Sequence, residues 1–212
     1  MIYLIFIPIL LILGFVVAIH LSFRAPRLSN DDLPINYGLN AQTHEFVGEQ
    51  GTKLSVWWVE AFQPSDVTVV ILHGWGANKS LLLPLAKPFH ETGDNVLMLD
   101  AHNHGDSQKR GTSTMPKFAE DVTSAVDWLK QHQTGASQNL IVVGHSVGAA
   151  AVLLAAANGL QANVVIAIAS FVHPKLMMQR SLQKVAGVPG LVPLISRYVQ
   201  WVIGHQFDAI AP

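Results

Sequence analysis

Gly144-His-Ser-Val-Gly148 is a G-x-S-x-G stretch that lies between a predicted strand and a predicted helix. The preceding run, Asn139–Val143, is rich in β-branched residues and is typical of a buried strand. The following run, Ala149–Ala157, contains only alanine, valine and leucine, which favours a buried helix. A serine on such a tight strand-to-helix turn is held out of the sheet, beside the N–H groups of the helix start. The stretch therefore predicts Ser146 as a nucleophile; the alternative is a glycine-rich turn with an incidental serine.

A second glycine-rich turn, His73-Gly-Trp-Gly76, follows the predicted strand Val67–Leu72. A serine hydrolase needs two backbone N–H donors for the oxyanion, one after the nucleophile and one from a loop after an earlier strand. We expect these donors to be the N–H groups of Val147 and Trp75. Glycines in both turns let the backbone approach a substrate closely, and they are Gly74, Gly76, Gly144 and Gly148.

Strands and helices alternate along the chain after residue 66. The predicted strands are Val67–Leu72, Asn95–Asp100, Leu140–Val143 and Val164–Ala169, and the predicted helices are Lys79–His90, Lys117–Gln133 and Val147–Asn158. This pattern is typical of an α/β domain, with a mostly parallel sheet and helices on both faces. We place that domain at residues 43–212, opening with a hairpin of Thr43–Val47 and Lys53–Glu60. Residues 171–206 contain no strand-like run, so we expect a helical cap over the carboxyl ends of the strands.

The N-terminal stretch Ile2–Ile19 has eighteen residues without a charge, which is long enough for a membrane-spanning helix. No basic residue precedes it and no small-x-small cleavage site follows it, which favours an uncleaved anchor over a signal peptide. We therefore predict a single transmembrane helix over residues 1–23 and a polar linker over residues 24–42. Arg24 and Arg27 follow the apolar stretch, so the positive-inside rule places the catalytic domain in the cytoplasm.

Composition excludes several classes of partner and site. The formal net charge of −1 gives no electrostatic basis for nucleic-acid binding. The chain has no cysteine, which excludes disulfides, thiolate catalysis and zinc–thiolate sites. One interpretation of His102 and His104, together with His73 or His145, is a metal site, but loop histidines at this spacing are more often hydrogen-bonding residues. We predict no metal and no cofactor.

The order and spacing of three segments resemble the α/β-hydrolase fold. These segments are His73-Gly-Trp-Gly76, Asp100-Ala-His-Asn-His-Gly-Asp-Ser107 and Gly144-His-Ser-Val-Gly148. The similarity covers residues 43–212 and points to the branch with serine aminopeptidases, monoglyceride lipases and lysophospholipases, which has membrane-anchored bacterial relatives. The resemblance implies esterase-like acyl transfer, and it implies that Asp100 shapes the sheet edge and is no member of the triad. The family's usual arginine–glycine is replaced here by Ala101-His-Asn-His104.

The resemblance also implies a chain order of serine, acid and histidine for the triad. After Ser146 the one acid in the sequence is Asp208, and no histidine follows it. In the family the acid and the histidine lie on loops after two further strands. We therefore expect both beyond Pro212, the chain being truncated at its C-terminus. An alternative is that His173 or His205 acts as the base while Asp208 orients it.

These observations predict a membrane-anchored serine hydrolase that acts on a carboxylic ester or a related acyl compound. Apolar cap residues, Met177, Met178 and Trp201 among them, suit a small hydrophobic acyl substrate. One alternative is a non-catalytic product or pseudoenzyme, because a serine without a base is a poor nucleophile. Another is a dinucleotide-binding Rossmann domain. Gly74-Trp-Gly76 and Asp100 partly imitate its fingerprint, although a lysine stands where the third glycine belongs.

Overall fold

The described part of the chain forms a six-stranded sheet flanked by helices. The computed structural model describes residues 3–186 and 192–211 of the 212-residue chain. The strands are β1 (Ala41–Val47), β2 (Lys53–Val59), β3 (Val67–Leu72), β4 (Asn95–Asp100), β5 (Asn139–His145) and β6 (Val164–Ile168). The helices are α1 (Tyr3–Ser22), α2 (Leu83–Glu91), α3 (Met115–His132), α4 (Val147–Ala157), α5 (Pro174–Ala186) and α6 (Val192–Ile203).

The strand order across the sheet is β1-β2-β4-β3-β5-β6. β1 and β2 form an antiparallel hairpin, and β2 also pairs antiparallel with β4. The pairs β3–β4, β3–β5 and β5–β6 are parallel, with Val67 opposite Asn139 where β3 and β5 begin. The predicted α/β class with a mostly parallel sheet is therefore confirmed, and so is the predicted hairpin.

Helices cover both faces of the sheet because successive side chains of a strand point to opposite faces. Val70 of β3 is fully buried in one core cluster, together with Phe118 of α3 and residues of α4. Its neighbour Val69 is buried in a second cluster, together with Leu83 of α2. Burying side chains of this size contributes about 1.5–3 kcal/mol each, so the continuous apolar strands are stabilised from both sides.

The predicted helix Lys79–His90 consists of two pieces. A 3-10 helix spans Lys79–Leu82, and α2 begins after it. The Asn78 side chain caps the 3-10 helix by accepting a hydrogen bond from the Leu81 N–H. Pro84 lies in the first turn of α2, where its missing N–H costs no hydrogen bond. Proline therefore favours a new helix start at this point.

One edge of the sheet is open in the described part of the chain, since β6 pairs there with β5 alone. Val164 of β6 is 48% exposed, whereas Val70 at the centre of the sheet is fully buried. An edge strand presents unpaired N–H and C=O groups to its surroundings. The two further strands that the resemblance implies stay a prediction.

The helices α5 and α6 lie within residues 171–206, and the role of this region as a cap stays a prediction. Residues 187–191 of that prediction lie outside the described residues. Ile195 and Val199 of α6 form a small apolar cluster with Phe207. A 3-10 helix over Phe207–Ile210 follows α6, and its Ile210 belongs to the main core. The chain therefore returns from the cap to the body of the domain.

Within residues 3–186 and 192–211, no helix is both long and apolar enough to cross a membrane. The structure therefore does not support the transmembrane helix predicted over residues 1–23, of which residues 1 and 2 lie outside the described part. Protein contacts involve the last turn of α1 instead. Ile19 and Phe23 pack on the cap cluster, and His20 Nδ1 lies 3.0 Å from the hydroxyl of Tyr198.

Residues 24–42, predicted as a linker, lie against the domain. Pro34 begins a 3-10 helix that ends at Tyr37, and it is buried. Leu39 is 1% exposed and belongs to the core cluster beside α2. Their burial depends on contacts with distant elements, so the local composition of the segment did not indicate it.

Candidate active site

Ser146 lies on the turn between β5 and α4, with a backbone φ of 56° and ψ of −116°. A positive φ is uncommon in a residue other than glycine, and residues held in such a sparsely populated conformation cost of order 1–3 kcal/mol and cluster at active sites. The Ser146 N–H donates to the Ile168 carbonyl at 2.9 Å, which ties the turn to the end of β6. The strained turn therefore holds a half-buried serine at the carboxyl edge of the sheet.

The elbow brings backbone against backbone at Gly144 and Gly148. A Cβ on Gly144 would lie 2.7 Å from the Cα of Ala149. A Cβ on Gly148 would lie 2.7 Å from the carbonyl oxygen of Leu72. Backbone atoms have no side-chain rotamer by which to move away. The geometry of the elbow therefore requires glycine at both positions.

The turn His73-Gly-Trp-Gly76 lies directly beside Ser146. A Cβ on Gly74 would lie 3.0 Å from the Cβ of Ser146 and 3.6 Å from its Oγ. The Ala77 N–H closes the turn by donating to the Gly74 carbonyl at 3.2 Å, and Gly76 has a φ of 69°. The structure thus brings together the two backbone segments that the sequence analysis assigns to an oxyanion hole.

His73 sets the direction of the peptide group that carries the Trp75 N–H. Its Nε2 accepts from the Ala101 N–H at 3.0 Å, so Nδ1 carries the proton and donates to the Gly74 carbonyl at 2.7 Å. In a trans peptide the N–H points opposite to the C=O, and the described residues contain no cis peptide. The Trp75 N–H therefore points away from the buried ring of His73.

Val147 offers the second predicted donor because it is the first residue of α4. The N–H groups of a first helical turn have no intrahelical acceptor, and the helix dipole adds a partial positive charge there. The first helical bond runs from the Ala150 N–H to the Ser146 carbonyl at 3.2 Å. The start of α4 thus provides an environment that favours negative charge next to Ser146.

We expect the free energy of unfolding to fall as the pH drops from about 6.5 to about 4. Burial lowers the pKa of His73 from 6.5 to about 4, and burial also lowers the pKa of His104. At His73 the unfolded chain therefore binds a proton in this window while the folded chain does not, and the lowered pKa of His104 acts in the same direction. The stabilisation is fully present above about pH 6.5 and is lost toward pH 4. Urea unfolding measured at a series of pH values tests this.

The matched variants for this test are His73→Asn and His205→Asn. Asparagine at position 73 keeps an N–H donor for the Gly74 carbonyl but does not titrate, so the pH dependence should become shallower. His205 is exposed, so its replacement should leave the pH dependence as it is. An equally steep dependence in the His73→Asn protein would contradict the assignment.

The loop histidines form hydrogen bonds with neighbouring protein groups. His104 Nε2 accepts from the Gly76 N–H at 3.1 Å, and its Nδ1 donates to the His102 carbonyl at 2.9 Å. His102 Nδ1 lies 2.6 Å from a carboxylate oxygen of Asp121. Among the residues that the structure describes, no group of three or more His, Cys, Asp or Glu side chains is placed to hold a metal ion. The interaction with Gly76 makes His104 a second support of the turn beside Ser146.

No histidine in the described part of the chain hydrogen-bonds the Ser146 hydroxyl. His173 and Asp208, the alternative base and acid, do contact each other, with Nε2 3.1 Å from Oδ1. His173 Nδ1 accepts from the Lys175 N–H at 3.1 Å, so both ring nitrogens are engaged away from Ser146. His205 is exposed. The His173–Asp208 pair therefore links the start of α5 to the last 3-10 helix.

Lys79 and Asp100 form a buried ion pair for which the local sequence gives no signal. Lys79 is 1% exposed and its Nζ contacts Asp100 Oδ2, with Asp106 Oδ2 at 2.9 Å and Ser55 Oγ at 3.2 Å. The ammonium group also lies 4.8 Å from the centre of the Trp57 ring. Burial is the largest single influence on the pKa of Asp100 and raises it, but the charges of Lys79 and His73 and the hydrogen bonds from Lys79 and the Asp106 N–H together hold the pKa below its usual value.

The Lys79–Asp100 pair also decides against the dinucleotide-binding alternative. That alternative needs an accessible carboxylate at Asp100 to bind a ribose hydroxyl. Asp100 is fully buried and is held by Lys79. The strand topology offers one signal for the pairing of Lys79 with Asp100. The carboxyl ends of neighbouring parallel strands meet at one edge of the sheet, so the loop after β3 lies beside the end of β4.

Comparison with known proteins gives both a family and relatives. The model of the family described as serine aminopeptidase, S33, matches residues 63–207, which is more than half of the chain. YfhR of Escherichia coli strain K12, an uncharacterised protein, is 30% identical over 118 residues, covering 54% of this chain and 41% of YfhR. The sn-1-specific diacylglycerol lipase ABHD11 of Xenopus laevis is 35% identical over 81 residues, covering 38% of this chain and 24% of that lipase. The chain thus spans less than half the length of these relatives.

A solved structure has the same architecture over most of the chain. The esterase Pf2001 of Pyrococcus furiosus superposes with a TM-score of 0.71 at 25% identity, covering 80% of this chain and 65% of the esterase. The strand order, the elbow at Ser146 and the family match over residues 63–207 agree with one another. This chain belongs to the serine aminopeptidase S33 family and has an α/β-hydrolase fold.

Proposed function

We propose that this protein is a serine hydrolase that cleaves a carboxylic ester or a related acyl compound. Ser146 is the nucleophile, and the N–H groups of Val147 and Trp75 stabilise the oxyanion. The observation that carries the proposal is the contact between the strained Ser146 turn and Gly74. It supports an attacking hydroxyl within reach of both donors. The names of the lipase ABHD11 and the esterase Pf2001 support ester chemistry.

The proposed reaction has two acyl-transfer steps. The Ser146 oxygen attacks the substrate carbonyl and gives its proton to a general base, and the carbonyl oxygen becomes the oxyanion. The protonated base then returns the proton to the leaving alcohol as the acyl-serine forms. Water releases the acid by the same sequence and restores the serine. The described residues do not identify the base or its orienting acid, because no histidine among them bonds the Ser146 hydroxyl.

The proposed substrate is small and hydrophobic. Support comes from the apolar cap, where Met177 is 44% exposed and Trp201 is 74% exposed. Met178 lies against the apolar cluster of α6. Methionine side chains adapt to irregular apolar groups, so a cap of this composition suits an acyl chain.

We further propose that α1 associates with a membrane and that the catalytic domain lies on its cytoplasmic side. Support comes from large apolar side chains that are more than half exposed on α1, namely Phe6, Ile9, Leu10 and Leu13. Arginines at positions 24 and 27 follow the helix and favour a cytoplasmic side. Fractionation of cells into membrane and soluble material tests this association.

Labelling with a fluorophosphonate probe tests the proposed function. The probe reacts with an activated serine, and its phosphonyl oxygen resembles the developing oxyanion. We expect the intact, folded protein to be labelled, with the modification on the peptide that contains Ser146. An absence of labelling in a sample whose folding is verified by circular dichroism would contradict the proposal.

A non-catalytic product is the second candidate function. The observation in its favour is the Ser146 hydroxyl, which has no histidine partner in the described residues. Without a base, residues 1–212 alone should not turn over a short nitrophenyl ester. Turnover by those residues that Ser146→Ala abolishes would exclude this candidate.

A further inference from the structure

Residues 26–30, which follow α1, lie across residues 73–78, the segment that carries Trp75. We call residues 26–30 the strap and residues 73–78 the oxyanion loop. Pro26 packs directly on Gly76, because a Cβ there would lie 2.8 Å from the Cγ of Pro26. Gly76 also has a positive φ, so both its conformation and this contact require glycine. The strap therefore touches the residue immediately after Trp75.

Asn78 fastens the other end of the oxyanion loop to the strap. Its side-chain amide donates to the carbonyl oxygens of Leu28, at 3.1 Å, and Ser29, at 2.6 Å. Its side-chain oxygen accepts from Ser80 Oγ at 2.8 Å and from the Leu81 N–H at 3.3 Å. Asn78 is 1% exposed. Every polar atom of this buried side chain thus serves either the strap or the 3-10 helix.

Asn30 joins the strap to the buried ion pair. Its amide nitrogen donates to Asp100 Oδ2 and to Asp106 Oδ2, each at 2.8 Å. Its side-chain oxygen accepts from the Ser80 N–H at 3.2 Å. Hydrogen bonds to charged partners contribute more than neutral ones. The C-terminal end of the strap is therefore anchored on two buried residues, Asp100 and Ser80, and on the exposed carboxylate of Asp106.

The oxyanion loop is supported from two sides. On the inner side, His73 holds the Gly74 carbonyl and His104 holds the Gly76 N–H. On the outer side, the strap covers Gly76 and bonds Asn78. Loss of one oxyanion donor costs about 10²–10³ in rate, and its effect depends on a position held within about 0.5 Å. A loop that is free on its outer side would not hold the Trp75 N–H to that tolerance.

We propose that the strap is a positioning element of the oxyanion hole and that Asn78 is the residue through which it acts. This inference rests on the proposed function, because the group to be positioned is the Trp75 N–H. Residues 23–25 join the end of α1 to the strap.

The variant Asn78→Ser separates the strap from the helix cap. Serine keeps an oxygen that accepts from the Leu81 N–H, and it is a good N-cap residue, but it has no amide to bond the strap. We expect the maximal rate of fluorophosphonate labelling to fall by about tenfold or more, with little change in the probe concentration that gives half the maximal rate. We also expect faster hydrogen exchange of the amides in residues 74–79.

Two further variants complete the experiment. Asn78→Asp keeps both acceptor roles but points a carboxylate at the carbonyls of Leu28 and Ser29, so it should produce the larger loss. Asn139→Ser is the matched control. Its amide donates to the Asp66 carboxylate at 2.9 Å, at the end of β5 remote from Ser146, and its loss should change neither labelling nor exchange in residues 74–79.

The outcomes separate the strap from the proposed function. If Asn78→Ser is labelled at the wild-type maximal rate, the proposed positioning role of the strap is overturned and the proposed function still stands. A lower urea midpoint with unchanged labelling would also overturn it, because Asn78 would then serve stability alone. Absence of labelling in the wild type would overturn the proposed function. In that case amide hydrogen exchange in residues 74–79 tests the positioning role of the strap. Faster exchange in Asn78→Ser supports this role, and unchanged exchange overturns it.

Discussion

Replacing Ser146 with alanine is expected to lower the hydrolysis of a short nitrophenyl ester by about 10⁴- to 10⁶-fold in the intact protein. Alanine removes the attacking oxygen and leaves only direct attack by water, for which the oxyanion donors and substrate binding provide a residual catalysis. The fold should be retained, since the Ser146 side chain makes no hydrogen bond in the described part of the chain. The measurement is the rate of nitrophenolate release at saturating substrate, with circular dichroism as the test of folding.

The control for this substitution is Ser137→Ala. Ser137 precedes β5, at the opposite end of that strand from Ser146, and its hydroxyl donates to the Thr134 carbonyl at 3.2 Å. Its replacement should leave the ester hydrolysis unchanged. Residual activity of Ser146→Ala within tenfold of the wild type would show that a different group performs the chemistry.

Replacing Lys79 with methionine is expected to destabilise the folded protein by about 3–5 kcal/mol. Methionine fills much of the same volume but leaves the carboxylate of Asp100 buried without its counter-charge. The measurement is the urea midpoint and the free energy of unfolding at neutral pH. A double variant with Asp100→Asn should recover part of the loss, because it removes the uncompensated charge.

Lys87→Met is the matched control for Lys79. Lys87 forms an i,i+4 ion pair with Glu91 on the surface of α2, with side chains 44% and 56% exposed. Pairs of this kind contribute about 0.3–0.5 kcal/mol, so the control should hardly change the midpoint. If Lys79→Met and Lys87→Met lowered the free energy of unfolding equally, burial of the ion pair would not be the reason that the protein depends on Lys79.

The elements that the sequence predicts well are those with a local signal. The strand before Ser146 and the helix after it are continuous apolar runs, and the glycines between them mark the turn. The hydrophobic pattern of a segment and the glycines that mark its turns are properties of a few neighbouring residues. The predicted elbow and the order of strands and helices therefore agree with the structure.

The features that the sequence did not indicate depend on residues far apart in the chain. Lys79 is a residue type that is almost always exposed, and only the neighbouring strand end supplies its partner, Asp100. The strap, residues 26–30, contains a proline and three polar residues around Leu28, a composition that favours a linker. Its contacts with Asn78 arise from tertiary packing. Neither feature has a periodic or compositional signature.

The central position of β3 has a consequence for the synthesis of the chain. One edge of β3 pairs with β4, but the other edge pairs with β5, so Val67 meets Asn139 only after α2, β4 and α3 have been translated. A nascent chain that ends before β5 exposes an apolar strand edge, which is prone to aggregation. The second edge of β3 can therefore be paired only after residues 139–144 have been synthesised.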